Sequence, residues 1–273
     1  MSYFTDPFQY AFFGRALIVS VLIGALAGAI GPFVLVRRMA YIGQGMSQSV
    51  LGGVALGVVW GIDVYFGAAV AAALSAALIY FVRNRGVPVD TAIGIVASTL
   101  FAIGVAVVSS SRDRRLNSAN LLFGNVLGVD LEDIILVTFV TFVAAVVLFR
   151  NYKTLLAVTH NSSVAAAHGV RARVMEVVFS ALLAMVVVTA LRVLGVLLVA
   201  ATLLIPAATV AMTFKTFRHI TIASIALGTS FAVIGLFLSF HRNIASGPAI
   251  VLVGATVFVM NMLSNPSFRR TGA

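Results

Sequence analysis

Long apolar runs, with charged residues confined to their edges, constrain this chain more than any other feature. They lie near residues 15–36, 44–62, 64–82, 91–110, 131–149, 174–191, 193–214, 220–240 and 246–263. A helix needs about 20 such residues to cross the hydrocarbon core of a bilayer. The 273 residues are 61% hydrophobic and 10% charged, with a mean hydropathy of +1.11, whereas a soluble domain carries about 25% charged residues. The sequence predicts an all-α integral membrane protein, a polytopic bundle of about eight to nine transmembrane helices. No Ser-, Pro- or Gly-rich linker divides it, so residues 1–273 read as one domain. Soluble enzymes are excluded.

The 18 Lys and Arg against 8 Asp and Glu report topology, because basic residues collect on the cytoplasmic side of a membrane. With the N-terminus outside, the inner segments hold Arg37, Arg38, Arg83, Arg85, Arg150, Lys153, Arg171, Arg173, Lys215, Arg218, Arg269 and Arg270. The outer segments hold Arg15, Arg112, Arg114, Arg115, Arg192 and Arg242, together with Asp6, Asp63, Asp113, Asp130, Glu132 and Asp133. Both signs point to N-out and C-in. No contiguous basic domain exists to track a phosphate backbone, so nucleic acid is not an expected partner. Ala25-Leu26-Ala27 resembles a signal-peptide cleavage site, but the apolar run continues to Val36 and ends at Arg37-Arg38, as a retained first span does.

The spans offer little acid–base chemistry. Glu176, Arg192, His241 and Asp90 all fall near span ends, which leaves no proton relay of the kind carriers place inside a bundle. The absence of cysteine excludes disulfides and thiolate sites. The histidines at 160, 168, 219 and 241 lie at span ends rather than in a ligand cluster, so no metal-ligating set is assigned. Lys153 and Lys215 sit in NYKT and TFKT, without the glycine of a phosphate loop. The chain therefore reads as a non-enzyme that binds no cofactor. Active transport would need a separate ATPase; a passive channel stays open.

Gly24 with Gly28, and Gly53, Gly57 and Gly61, repeat at four-residue spacing. Such spacing lets helix backbones approach, either within one chain or at a dimer seam. Pro206 in LLIPAAT removes a helical hydrogen bond, which neighbouring helices or Thr202 and Thr209 would have to compensate. The stretch Asn120–Val129 is too short to span and reads as re-entrant or interfacial. Between Arg150 and Arg173 the sequence RNYKTLLAVTHNSSVAAAHGVRAR predicts a short cytoplasmic helix, capped by Ser162-Ser163 and ended by Gly169. Its small residues form either a docking face or an interfacial connector.

The second span opens on a polar cluster from Tyr41 to Ser49, in which Gln44 and Gln48 share a helix face. Buried amides of this kind act as interhelical glue or face a translocation path. Both readings stand on the residues alone.

The chain resembles the permease subunits of the manganese, zinc and iron uptake ABC transporters. The resemblance is carried by FVLVRRMAYIG, VALG, DTAIGI from Asp90, LLFGNVLGV from Leu121, ALRVLGVLLVAATLLIPAAT from Ala190 and SGPAIVLV from Ser246. It implies an ABC importer permease fold and a bacterial plasma-membrane location. It also implies a second permease copy, two copies of a cytoplasmic ATPase carrying ATP and Mg, and an extracytoplasmic solute-binding protein. The segment at about 154–172 would carry the coupling helix, with His160, Val164, Ala165, Ala166, His168 and Gly169 as the ATPase-contacting candidates. The substrate pathway would run past Gln44, Met46, Ser47 and Gln48.

The family places an Asp, and four residues later a His, where this chain has Gln44 and Gln48, and Pro-Gly where it has Gly52-Gly53. The exchange removes an anionic oxygen ligand and a nitrogen ligand and leaves two neutral carbonyls. A thioether from Met39 or Met46 would suit soft metals such as copper(I). Three functions follow: a divalent-metal importer permease with weak neutral ligands in its path; the same machine carrying a metal chelate or small organic solute; and an ATPase-independent carrier or channel. In the first two, alternating access would couple ATP binding through the short helix to the Gln44–Gln48 path.

Overall fold

The computed structural model describes residues 7, 10–37, 40–59, 61–83, 85–110, 128–195, 198–242 and 244–264. Helices α1 (Ala11–Val36), α2 (Ala40–Val59), α3 (Val64–Arg83), α4 (Val89–Ser110) and α5 (Leu131–His160) are followed by the short α6 (Ser162–Ala167). After it come α7 (Ala172–Leu194), α8 (Val199–Ala211), α9 (Phe217–Arg242) and α10 (Ser246–Ser264). There is no strand among the described residues. Each of the nine apolar runs contains helix, and among the described residues six helices are long and apolar enough to cross a membrane: α1, α3, α5, α7, α9 and α10.

Helix α1 is the axis of the bundle: 67% of its apolar span is buried, against 28% for α3, α5 and α10. Its main partner is α9, with α8 and α5 beside it, while α2 packs against α4 and α3 and reaches α7 and α8. Lipid supplies no hydrophobic drive between helices, so close backbone approach has to hold them. A Cβ at Gly24 would come within 2.5 Å of the Gly228 carbonyl oxygen, and one at Gly28 within 2.6 Å of the Ile225 Cα. The Gly24–Gly28 pair is thus spent inside the chain, on α9. Gly53 likewise meets Gly67 of α3. Gly61 departs from the expected stripe: it lies beyond the end of α2, in a turn with φ +68°.

Three further expectations are corrected. The run at 193–214 is not one helix. Helix α7 continues to Leu194, Gly195 turns the chain at φ +80°, and α8 begins at Val199 and lasts 13 residues. That is about 20 Å of rise, less than the hydrocarbon thickness. Pro206 lies inside α8, but Thr202 Oγ1 donates to the Val199 carbonyl and Thr209 Oγ1 to the Ile205 carbonyl. Neither hydroxyl compensates for the donor that proline withholds from the Thr202 carbonyl. Finally, the polar segment from Arg150 is not a separate piece at its start, since α5 runs unbroken for 30 residues to His160. At about 45 Å it outreaches a bilayer core. Most of the segment Asn120–Val129, namely 120–127, lies outside the described residues, as does Met39.

Candidate transport path and docking end

Helix α2 turns different faces to different neighbours. Gly45 meets Ile93 of α4, Gly52 meets Leu100 and Gly104 of the same helix, and Gly53 meets α3. Ser49 Oγ donates to the Gly45 carbonyl and accepts from Ser75 Oγ of α3 at 3.1 Å. A further side carries two amides. Gln44 is exposed and Gln48 half-buried on it. The four expected path residues are not one surface: Met46 is 1% exposed and Ser47 fully buried, because two or three residues along a helix rotate a side chain to another side. Met46 belongs to the apolar core, so it offers no thioether to the Gln44–Gln48 face.

Chemically, that face presents carbonyl oxygens and amide N–H groups without charge. It can exchange hydration-shell contacts with a passing solute, but it has no proton to take up or release. No group of three or more His, Cys, Asp or Glu side chains that could hold a metal occurs among the described residues. A narrow cavity lies elsewhere, between α1, α7, α8, α9 and α10, lined by Ser20, Gly24, Thr202, Pro206, Gly228 and Phe231 among others. Its walls are almost wholly apolar, and the buried Ser20 Oγ has no partner there.

The second candidate region is the end of the bundle where α5 hands over to α6. Asn161, not Ser162 or Ser163, caps α6: its side-chain oxygen accepts from the backbone N–H groups of Ser163 and Val164, both at 3.1 Å. An extended backbone at Asn161 puts an Asx acceptor one residue ahead of Ser162 and two ahead of Ser163, the geometry an N-cap needs. At the other end, Gly169 adopts φ +79°, and the Val170 N–H reaches back to the Ala165 carbonyl at 3.1 Å. This is the left-handed closure that favours glycine. Ala165 is buried at 4% and anchors the helix. Val164, Ala166, His168 and Gly169 are exposed, as is His160 at the end of α5, whose Nδ1 lies 3.0 Å from the Leu156 carbonyl. Exposed Arg150, Lys153, Arg171, Arg173, Lys215 and Arg218 occupy the same end. The surface is small-residue and cationic.

A half-buried arginine in this region was not singled out by the sequence. Arg37, at the C-cap of α1, donates from Nε to Thr159 Oγ1 at 3.0 Å, and its guanidinium carbon sits 4.1 Å from the centre of the Phe179 ring. Burial lowers its pKa from the ordinary arginine value, and the negative charge of Glu176 pushes the other way. Around it, Phe33, Tyr152, Phe179 and Phe217 join α1, α5, α7 and α9, with Phe33 and Phe217 rings 4.8 Å apart. Only the Arg37-Arg38 pair after the first span could have pointed there, and it reads equally well as a topology signal.

At the opposite end the acids are built into helix starts. Asp63 Oδ1 accepts from the Tyr65 and Phe66 N–H groups. Buried Asp133 accepts from Tyr65 Oη and from the Asp130 N–H.

Residues 9–265 match the family model described as the ABC 3 transport family. The manganese transport system membrane protein MntC of Listeria monocytogenes is 36% identical over 260 residues, covering 94% of this chain and 92% of the relative. The manganese import system permease protein ScaB of Streptococcus gordonii is 33% identical, covering 96% and 94%. Among solved structures, PsaBC from Streptococcus pneumoniae in complex with Fab matches with a TM-score of 0.88 and 30% identity, covering 98% of this chain and 97% of that one.

Proposed function

This chain belongs to the ABC 3 transport family, and from that premise we propose that it is the permease of an ATP-driven importer for a divalent metal ion. It is a multi-pass plasma-membrane protein and a transporter subunit rather than an enzyme. Manganese is the first cargo to test, since two relatives are named for its transport; zinc and iron are the alternatives. In this reading the chain is one permease domain of about eight to nine transmembrane helices, N-out and C-in, paired with a second copy. It receives cargo from an extracytoplasmic binding protein. The segment at about 154–172 docks on a cytoplasmic ATPase, present in two copies, which holds ATP and Mg.

The observation that carries the reading is the open Gln44–Gln48 face on a helix otherwise closed by its neighbours. The path runs along those amides, with Met46 and Ser47 in the wall behind them. Weak neutral ligands suit conduction, which needs a solute to leave as well as enter. Selectivity then lies mainly in the binding protein. A second reading, a metal chelate or small organic solute as cargo, is favoured by the same amides, which lack the charge and the nitrogen donor that hold a bare metal.

Liposomes containing the permease, its ATPase and its binding protein decide between them. ATP-dependent accumulation of manganese, zinc or iron supports the first reading. Accumulation of a chelate or organic solute with no bare metal supports the second, and uptake without an ATPase overturns both. For docking, Ala166→Glu puts an anion on the exposed side of α6. It is expected to cut ATPase co-purification roughly tenfold, the factor for a loss of about 1.4 kcal/mol; undiminished co-purification would place the ATPase elsewhere.

A further inference from the structure

The end of α5 is tied to α1 by a half-buried cation, Arg37. Thr159 is the penultimate residue of α5 and is buried, two positions before the Asn161 cap that fixes the start of α6. Because α5 is unbroken to His160 and only Asn161 separates it from α6, the two helices share one short joint with no slack. Thr159 Oγ1 accepts from Arg37 Nε at 3.0 Å across 122 residues of sequence. The same guanidinium lies on Phe179 of α7. Its Nη2 is buried without a hydrogen-bond partner, so the group has a spare donor in a place where donors are normally satisfied. Helix α1 in turn is locked to α9 by backbone contact and borders α8.

We infer that Arg37 is the positioning residue that passes movement of the α6 docking helix into the bundle, through Thr159 on one side and through α1 and Phe179 on the other. The inference rests on the reading of α6 as the ATPase-docking element. Arginine suits the task because its planar head makes a directional bond from one edge while stacking by its face; a lysine ammonium cannot hold both contacts in that geometry. The unpartnered Nη2 lets the group shift against a neighbour without first giving up the Thr159 bond. Glu176, half-buried on α7 three residues before Phe179, is the acid whose field it feels. The surrounding aromatic rings also hold α5 to α1 and α9, but they are non-directional contacts that permit sliding.

The test uses the complete complex in liposomes and reads ATP hydrolysed per cargo ion accumulated, a ratio that simple loss of folded protein does not alter. Thr159→Val keeps shape and removes the acceptor, Thr159→Ser restores it, and Arg37→Lys keeps charge but not geometry. Thr159→Val and Arg37→Lys are each expected to raise the ratio several-fold, Thr159→Ser to return it to that of the unmutated protein, and the double variant to be no worse than either single one. In the detergent-solubilised chain, Thr159→Val is expected to speed amide exchange at residues 155–160 by roughly tenfold, the order of a charge-assisted hydrogen bond. Unchanged ratios in a working complex, or additive effects in the double variant, would overturn the inference while leaving the transport reading intact. Failure of the unmutated complex to accumulate any cargo with ATP would remove both.

Discussion

Helices α1 and α2 follow one another in the chain and both carry glycines at regular spacing, yet they do opposite things. In α1 the glycine faces are consumed by α9 and α8: a Cβ at Gly24 or Gly28 would strike backbone atoms of α9, and one at Gly31 the Leu203 carbonyl of α8. In α2 they close only the sides toward α3 and α4, and Gln44 is left exposed and Gln48 half-buried. Uncovered amides in a membrane chain need water, cargo or another subunit, because hydrocarbon offers no partner. The closed helix therefore supplies the frame and the open one the site.

The largest expected effect breaks the frame. Gly28→Leu drives a branched side chain into the α9 backbone, where no rotamer relieves the clash. It should cost more than about 3 kcal/mol, read as loss of monodisperse protein in detergent. A variant that purifies with an unchanged melting temperature would show that α1 and α9 can separate freely. Next in size is Gln44→Ala with Gln48→Ala. The pair should leave thermal stability within about 0.5 kcal/mol of the parent while reducing cargo flux roughly tenfold or altering selectivity, about 1.4 kcal/mol at the rate-limiting barrier. Unaltered flux and selectivity would remove the path from this face.

Smaller changes sharpen the contrast within α2 and its neighbours. Ser75→Ala deletes the donor to Ser49 on the closed side, but Ser49 keeps its own bond to the Gly45 carbonyl. The expected loss is about 1 kcal/mol, visible as a slightly lower melting temperature with flux preserved. Gly94, on α4, has nothing within 4 Å of an added Cβ and lies on an exposed side. Gly94→Ala should stabilise by about 0.5–1 kcal/mol through helix propensity alone. Destabilisation there would reveal a partner surface pressed against α4.

Much of this was legible in the sequence because solvent writes it there. Apolar runs located every helix but the short α6, since hydrocarbon tolerates few unsatisfied or charged groups. Gly24 and Gly28 announced close packing, and Gly169 the end of α6. The cap of α6 was misplaced by one or two residues because Asn161, Ser162 and Ser163 are all competent caps and only the backbone angle chooses among them. The reach of α5 was underestimated because Arg150 and Lys153 look like an ending, although long cationic side chains are readily carried on a helix that has already left the bilayer. At the candidate path, Gln44 and Gln48 lie one turn apart on one side of α2, whereas Met46 between them packs in the core.

The sequence by itself determined that this chain lives in a membrane, is all-helical and resembles an ABC permease, because each of these follows from composition and from ordered local patterns. Tertiary structure alone decided which glycine face met which helix, which face of α2 stayed open, and that Arg37 bonds to Thr159 and stacks on Phe179. Those outcomes depend on contacts between residues far apart in the chain, and neither apolar periodicity nor charge at a helix end carries the partner's address.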